Sequence, residues 1–156
     1  DTFGLAFYKA ELAAGFRLPL EGTVLITVAP RDRKAVLPAA KRFANLGFRI
    51  LATAGTRAFL AENGVPCEPV KKLYEGRPNI LDALHNGEIQ LVVNTPAGKE
   101  AVTDDSYIRK AAVKYKIPYI TTPAAAFAAA EGIRAAREET EVVKSLQEYH
   151  QGITTQ

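Results

Sequence analysis

The chain has 156 residues, the length of one compact domain with a full hydrophobic core. Its 47% hydrophobic and 24% charged residues are typical of a globular protein, and a net charge of +3 is too small to indicate nucleic-acid binding. No apolar run approaches the roughly 20 residues that cross a bilayer, and a single cysteine, Cys67, excludes an internal disulfide framework. We therefore expect a cytoplasmic protein with neither a membrane nor a nucleic acid as its partner.

Predicted strands and helices alternate along the chain from Thr23 onward. The strands are expected at 23–28, 48–52, 67–70, 89–94 and 118–121, where apolar and β-branched residues dominate. The helices are expected at 32–47, 57–63, 78–87, 104–115 and from Pro123 onward, with Asp32 as a cap of the first. This alternation predicts a three-layer α/β/α domain with a parallel sheet covered on both faces.

Residues 1–20 differ from the rest, because a helical pattern there is followed by Gly15 and Pro19 with no strand before it. We interpret this segment as the end of a preceding domain and a linker, and residues 21–156 as the domain proper. The chain contains no methionine and begins with Asp1, which we interpret as the mark of a piece of a longer protein.

Polar and cationic side chains follow the predicted strands. Ligands of parallel sheets bind beyond the carboxyl ends of the strands, so these side chains are expected to converge on one edge. The set comprises Arg31, Arg33, Lys34, Thr53, Thr56, Lys71, Lys72, Arg77, Asn94, Thr95, Lys99, Thr121 and Thr122. Hydroxyls, amides and cations together predict a site for a small anionic ligand.

The segment Thr53-Ala54-Gly55-Thr56 joins the second predicted strand to a helix. We predict Thr56 as the N-cap of that helix, while Gly55 allows the backbone to turn and to approach a ligand closely. A helix N-terminus concentrates free N–H groups and partial positive charge, which suits a phosphate, and Lys72 or Arg33 can supply a full countercharge. Taken alone, the motif is more typical of an ordinary strand-to-helix turn, whereas in combination with the residues at the other strand ends it favours a phosphate site.

Other kinds of site find little support. Neither a dinucleotide fingerprint nor a P-loop is present, and there is no nucleophile elbow. His85 and His150 are too isolated to form a metal site with Cys67, which is expected to be a buried or half-buried small residue. We predict no catalytic residue and no metal site in this chain. The carboxylates near the predicted edge are Glu75 and Asp82, and Asp82 falls inside a predicted helix.

Several segments resemble the carboxy-terminal regulatory domain of the carbamoyl-phosphate synthase large subunit, over about residues 20–153. The segments are ATAGT, VKKLYEGRPNILDALHNGEIQLVVNTP, DDSYIRKAAVKYKIPYITT and VVKSLQEYH. Residues 1–20 resemble the end of the second ATP-binding synthetase half of that protein. The resemblance implies a methylglyoxal synthase-like fold with a five-stranded parallel sheet, without catalysis in the domain itself.

The resemblance also implies a function. In bacterial members of the family UMP inhibits and IMP activates through one phosphate-centred site, and ornithine activates from the interface with a synthetase half. The full-length protein is implied to be a glutamine-hydrolysing, ATP-dependent ligase that uses ATP with Mg²⁺ or Mn²⁺ and serves pyrimidine and arginine biosynthesis. Its partners are the synthetase halves of the same chain and a small glutaminase subunit, with homo-oligomers allowed.

The family's effector site is carried over residue by residue. The implied nucleotide-binding residues are Arg33 (a lysine in the familiar pattern), Thr53, Thr56, Lys72 and Asn94. A further threonine of the pattern is replaced here by Pro96, which removes one hydroxyl and bears on the identity and affinity of the effector. The positions associated with ornithine or with coupling to the synthetase are Tyr119 and Thr121; Tyr119 is equally compatible with covering the edge of the core.

Two classes of alternative remain open, the first being an enzyme of the same or a similar fold. Methylglyoxal synthase shares the fold and the phosphate-binding threonines, but it needs a carboxylate base in a Gly-Gly-Asp segment, and the comparable stretch here is EGRPNILD. Asp82 is the nearest candidate for that base. A cyclohydrolase domain of purine synthesis also has a similar fold, but the sequence contains too little of that domain's characteristic pattern to favour it. The second alternative is an interaction module that docks on the synthetase halves without a ligand.

Overall fold

The computed structural model describes residues 18–96 and 102–154. The strands are β1 (Thr23–Thr27), β2 (Arg49–Ala52), β3 (Glu68–Pro69), β4 (Leu91–Asn94) and β5 (Tyr119–Ile120). The helices are α1 (Arg33–Asn45), α2 (Ala54–Glu62), α3 (Ile80–His85), α4 (Val102–Lys114) and α5 (Pro123–Thr154), with 3₁₀ turns at Pro30–Asp32 and Leu73–Glu75. Nearly all of the predicted preceding domain at residues 1–20, and Lys99, lie outside the described residues.

All five strands are parallel and form one sheet in the order β3-β2-β1-β4-β5. In the central pairs, Val24 of β1 lies opposite Ile50 of β2 on one side and Leu91 of β4 on the other. The predicted five-stranded parallel sheet between helices is therefore confirmed. The order also places the ends of β1, β2 and β4 side by side, which matters for the site described below.

The core has two layers because alternate residues of each strand face opposite sides of the sheet. Val24 and Ile26 of β1 pack in a cluster with Phe43 of α1, together with residues of α2 and α5. Leu25, between them, packs on the opposite face in a cluster that includes Ile108 of α4 and residues of α3. The continuous apolar run of β1 follows from this burial on both faces.

The alanine-rich helix α5 packs its small residues against the sheet, as the sequence indicates. Ala126, Ala129 and Ala130 are fully buried in the same cluster as β1 and α1. Small side chains allow the helix axis to approach the sheet closely. Within the described residues, no helix combines the length and the apolar character needed to span a membrane.

The structure corrects several predicted boundaries. Strand β3 has two residues rather than four, because it is an edge strand and Pro69 has no N–H to donate to the sheet. Helix α3 is confined to Ile80–His85, because the Asn79 side chain caps it by accepting the Leu81 N–H at 3.0 Å. Lys34, one of the cations expected at the ligand-binding edge, lies in the first turn of α1 and does not line the cavity described below.

The predicted cap at Asp32 is right in position and wrong in mechanism. Asp32 is the N-cap of α1, but its side chain makes no capping hydrogen bond. A 3₁₀ turn, Pro30–Asp32, leads directly into the helix, and the Asp32 N–H donates to the Ala29 carbonyl at 2.9 Å. The turn brings the start of α1, and with it Arg33, to the carboxyl end of β1.

Candidate functional site

A cavity of about 430 Å³ opens at the carboxyl end of the sheet. It lies where the strand order reverses, because the chain runs from β1 out to β2 and β3 and then returns to the other side of β1 for β4. Open α/β sheets form their ligand crevices at this point. The lining includes all five residues predicted for the effector site: Arg33, Thr53, Thr56, Lys72 and Asn94.

The turn between β2 and α2 forms one wall of the cavity. Thr53 has extended dihedral angles, φ −72° and ψ 159°, and its carbonyl accepts the first helical hydrogen bond from the Arg57 N–H at 2.8 Å. Thr53 is therefore the N-cap, and the prediction of Thr56 as N-cap is wrong because Ala54 and Gly55 are already helical. The N–H groups of residues 54–56 have no acceptor within the helix, so this end of α2 is electropositive.

The two threonines brace this turn against the end of β1. The buried Thr56 hydroxyl accepts the Val28 N–H at 3.2 Å and lies 3.4 Å from the Val28 carbonyl oxygen. The Thr53 hydroxyl lies 2.9 Å from the hydroxyl of Thr27, the last residue of β1. Both threonines consequently fix the position of the α2 N-terminus relative to the sheet.

Arg33 lies over the N-terminus of α2 and depends on Gly55. A Cβ atom at position 55 would overlap the Arg33 Nη2 atom and lie 3.1 Å from Cζ. Glycine thus leaves the space that the guanidinium occupies. Arg33 lines the cavity, and its buried Nε atom has no hydrogen-bond partner within the described chain. A buried donor of this kind is costly unless a ligand or water accepts from it.

Lys72 reaches the cavity from the loop after β3. It is the N-cap of the turn Leu73–Glu75, and the Glu75 carboxylate accepts the Lys72 backbone N–H at 2.7 Å. The half-buried side chain of Lys72 lines the cavity, whereas its exposed neighbour Lys71 lines a separate groove along the edge of the sheet. Of these two adjacent lysines, the structure therefore assigns Lys72 alone to the cavity.

Asn94 joins the cavity to strand β5. Its amide nitrogen donates to the Asp105 carboxylate at 3.0 Å and to the Tyr119 hydroxyl at 2.8 Å. Burial raises the pKa of Tyr119, an effect that the hydrogen bond from Asn94 partly opposes. Tyr119, predicted as a coupling residue, does not itself line the cavity, but it contacts a residue that does.

Residues 35–121, more than half of the chain, match the sequence model of the MGS-like domain family. The chain belongs to this family. It is 53% identical over 150 residues to the carbamoyl phosphate synthase large chain of Archaeoglobus fulgidus, covering 96% of this chain and 14% of that protein. It is 52% identical to the carbamoyl phosphate synthase large chain, C-terminal section, of Methanopyrus kandleri, covering 97% of this chain and 28% of that protein.

The chain therefore spans a small part of these relatives. Among solved structures, methylglyoxal synthase from Elizabethkingia anophelis superposes with a TM-score of 0.55 over 70% of this chain and 76% of that one, at 16% sequence identity. At that identity the likeness shows the fold alone. The resemblance to carbamoyl phosphate synthase large chains and the methylglyoxal synthase-like fold expected from the sequence are both confirmed.

Not all of the predicted polar residues converge on the cavity of this MGS-like domain. Thr121 is exposed and does not line it. Arg77 instead holds the carboxylate of Asp82, with Nε at 3.1 Å from Oδ1. Pro96 is exposed, and its carbonyl oxygen accepts from the Arg31 guanidinium at 2.8 Å. The threonine hydroxyl that the family pattern places at position 96 is therefore absent from the edge of this site.

Sequence reasoning missed Thr27 and Asp105, which both line the cavity. Thr95, noted only as following a strand, accepts the Ala29 N–H through its hydroxyl at 2.9 Å and so ties β4 to the loop after β1. The sequence does contain an indication for Asp105. This residue precedes the buried Ile108 by three positions and therefore lies on the same face of α4. Among the described residues that line the cavity, Asp105 is the sole acid.

Cys67 and the described histidine lie apart from this site. Cys67 is half-buried, as predicted, and burial raises the pKa of its thiol. His85 Nδ1 lies 2.6 Å from the Tyr115 hydroxyl at the other end of the sheet. Among the side chains that the structure describes, no three of His, Cys, Asp or Glu are grouped as a metal site would require.

Proposed function

We propose that this chain is the regulatory domain of a carbamoyl phosphate synthase large chain, and that its cavity binds the phosphate of a nucleoside monophosphate. The proposal is carried by the convergence of the Arg33 guanidinium, the Lys72 side chain and the N-terminus of α2 on one cavity. A helix N-terminus and two cations offer directed N–H donors and countercharge, which is the arrangement that phosphate requires.

The effectors proposed for this site are UMP as an inhibitor and IMP as an activator. Asn94 is then the residue that orients the ribose or the base. Ornithine is proposed to act on the side of Tyr119 and Thr121, where strand β5 ends. The hydrogen bond between Asn94 and Tyr119 supports this arrangement, because it joins the two regions directly.

In the full-length protein this domain is proposed to do no chemistry itself. The reaction is assigned to the synthetase halves, with ATP and Mg²⁺ or Mn²⁺, and to the small glutaminase subunit. Effector binding regulates them only if the effector has different affinities for two states of the whole enzyme. The carboxylate of Asp82, considered for the methylglyoxal synthase alternative, supports the regulatory role, because it accepts from Arg77 and the Asn79 N–H and does not line the cavity.

The first experiment is a calorimetric titration of this chain with UMP and then IMP, at low phosphate concentration. Wild type should bind at one site, and Lys72→Ala should weaken binding by about 1.5–3 kcal/mol, the scale of a hydrogen bond to a charged group. Lys71→Ala is the matched control, because that side chain lies outside the cavity. Equal loss in both variants, or no loss in Lys72→Ala, would contradict the proposed phosphate position.

A second assay addresses catalysis directly. The same sample is incubated with dihydroxyacetone phosphate, and methylglyoxal formation is followed. The proposal expects no product above the uncatalysed background. Product formation that depends on Asp82 or Asp105 would replace the regulatory proposal with the enzymatic one.

A further inference from the structure

Two residues of the cavity wall each have a buried side-chain atom without a hydrogen-bond partner in the described chain, and the two side chains have opposite charges. One is Arg33 Nε, a donor, and the other is Asp105 Oδ2, an acceptor. Both residues line the cavity. The proposed phosphate accounts for Arg33 only, because a carboxylate repels an anion. A different part of the ligand must therefore form the hydrogen bond with Asp105.

The surroundings of Asp105 show what that part must be. Its other oxygen, Oδ1, accepts from the Asn94 amide nitrogen at 3.0 Å, and the same nitrogen donates to the Tyr119 hydroxyl at 2.8 Å. Both N–H groups of Asn94 are thereby used, so its side chain has only a carbonyl oxygen left to offer. Asn94 and Asp105 together form a wall that accepts hydrogen bonds and donates none.

The two ends of the cavity come from different parts of the sheet. The positive end is built from α1, the N-terminus of α2 and the loop after β3, whereas the accepting end is built from β4 and α4. The ends of β2 and β4 are separated by two strand spacings, or about 10 Å. A ligand that satisfies both ends must carry an anion at one end and hydrogen-bond donors at the other.

We propose that Asp105 is a specificity-determining residue that selects the vicinal hydroxyls of a ribose 5′-phosphate unit. The inference rests on the proposed function and adds to it the feature by which a ribonucleotide is distinguished from inorganic phosphate and from deoxynucleotides. A bound ribose donates to the Asp105 carboxylate and to the Asn94 carbonyl, while its phosphate lies between Arg33 and Lys72. A ligand without these hydroxyls leaves the buried carboxylate oxygen unpaired, which is the costly case.

The test compares UMP, its 2′,3′-dideoxy analogue, ribose 5-phosphate and inorganic phosphate by calorimetry on wild type and Asp105→Asn. Wild type should prefer UMP to the dideoxy analogue by about tenfold or more. Asp105→Asn should reduce that ratio to within about threefold and weaken ribose 5-phosphate, while the affinity for inorganic phosphate stays within about twofold.

Lys72→Ala is the matched control, because it acts at the other end of the cavity. It should weaken UMP and its dideoxy analogue alike and leave their ratio unchanged. If Lys72-dependent nucleotide binding shows no ribose preference, or if Asp105→Asn keeps that preference, the inference is overturned and the proposed function stands. Unchanged binding of ribose 5-phosphate by Asp105→Asn would likewise overturn the inference, because the carboxylate would then not recognise the ribose. If wild type binds none of the four ligands, both proposals fail.

Discussion

Replacing Gly55 with alanine is a direct test of the role of Arg33. The added Cβ would overlap Nη2 of Arg33 and would lie 3.1 Å from Cζ and 3.6 Å from Nη1. Ordinary contacts begin at about 3.5–4.0 Å, so the guanidinium has to move by on the order of 1 Å. It moves in preference to the backbone because it is the end of a long, flexible side chain.

The expected effect on binding follows from hydrogen-bond geometry. A charge-assisted N–H to oxygen bond requires about 2.7–2.9 Å, so this displacement removes the contact with the phosphate. The loss corresponds to about 1.5–3 kcal/mol, or roughly a 10- to 150-fold weaker affinity for UMP in calorimetry. Thermal stability without ligand should hold or rise, because alanine favours a helix by up to about 1 kcal/mol over glycine.

A double-mutant cycle separates this mechanism from a general disturbance of the α2 N-terminus. In an Arg33→Ala background the side chain that the added Cβ would displace is absent. Adding Gly55→Ala to that background should therefore change the affinity for UMP by less than about threefold. The reasoning is refuted if Gly55→Ala binds UMP as tightly as wild type does. It is equally refuted if Gly55→Ala costs as much in the Arg33→Ala background as it does alone.

Two further predictions concern stability and transmission. The hydrogen bond from Arg77 holds the pKa of Asp82 below its ordinary value of about 3.9. The contribution of this ion pair to stability is therefore present above that value and is lost as the pH falls through the folded-state pKa of Asp82. The urea midpoints of wild type and Asp82→Asn should differ at neutral pH and converge in acid. A difference between the two midpoints that does not depend on pH would argue against a stabilising role of this pair. Tyr119→Phe removes the hydroxyl that accepts the hydrogen bond from Asn94. In the full-length large chain this substitution should reduce the response of the synthetase rate to UMP and IMP. An unchanged response would exclude the Tyr119 hydroxyl from the coupling.

The fold was largely predictable because its strands are buried on both faces. A continuous apolar, β-branched run such as residues 23–28 is typical of a strand buried on both faces, above all where such runs alternate with helical patterns along the chain. The ends of the elements were less predictable, since they depend on tertiary partners. Thr53, and not Thr56, became the cap of α2 because the Thr56 hydroxyl pairs with Val28 across the sheet, a contact that local sequence does not reveal.

The candidate site was predictable where its residues follow strands and difficult where they lie within helices. Lys72 and Asn94 come at or just after strand ends, so the parallel topology alone brings them to one edge. Asp105 lies in α4, and its placement depends on which face of that helix packs against the sheet. The buried Ile108 identifies that face, and a helix that follows β4 begins at the carboxyl edge of the sheet. Those two facts together place Asp105 at the cavity.

The hydrogen bonds of Asn94 offer a route by which the proposed effector can act on parts of the domain outside the cavity. Asn94 donates at once to Asp105 and to Tyr119, so a ligand hydroxyl that engages Asp105 contacts a direct partner of the amide that holds Tyr119. Tyr119 begins β5, and β5 is followed within a few residues by α5, the longest described helix. If both proposals hold, recognition of the ribose and transmission of the signal share the Asn94 amide, and Asp105→Asn should alter the response of the full-length enzyme to bound UMP as well as the affinity for UMP.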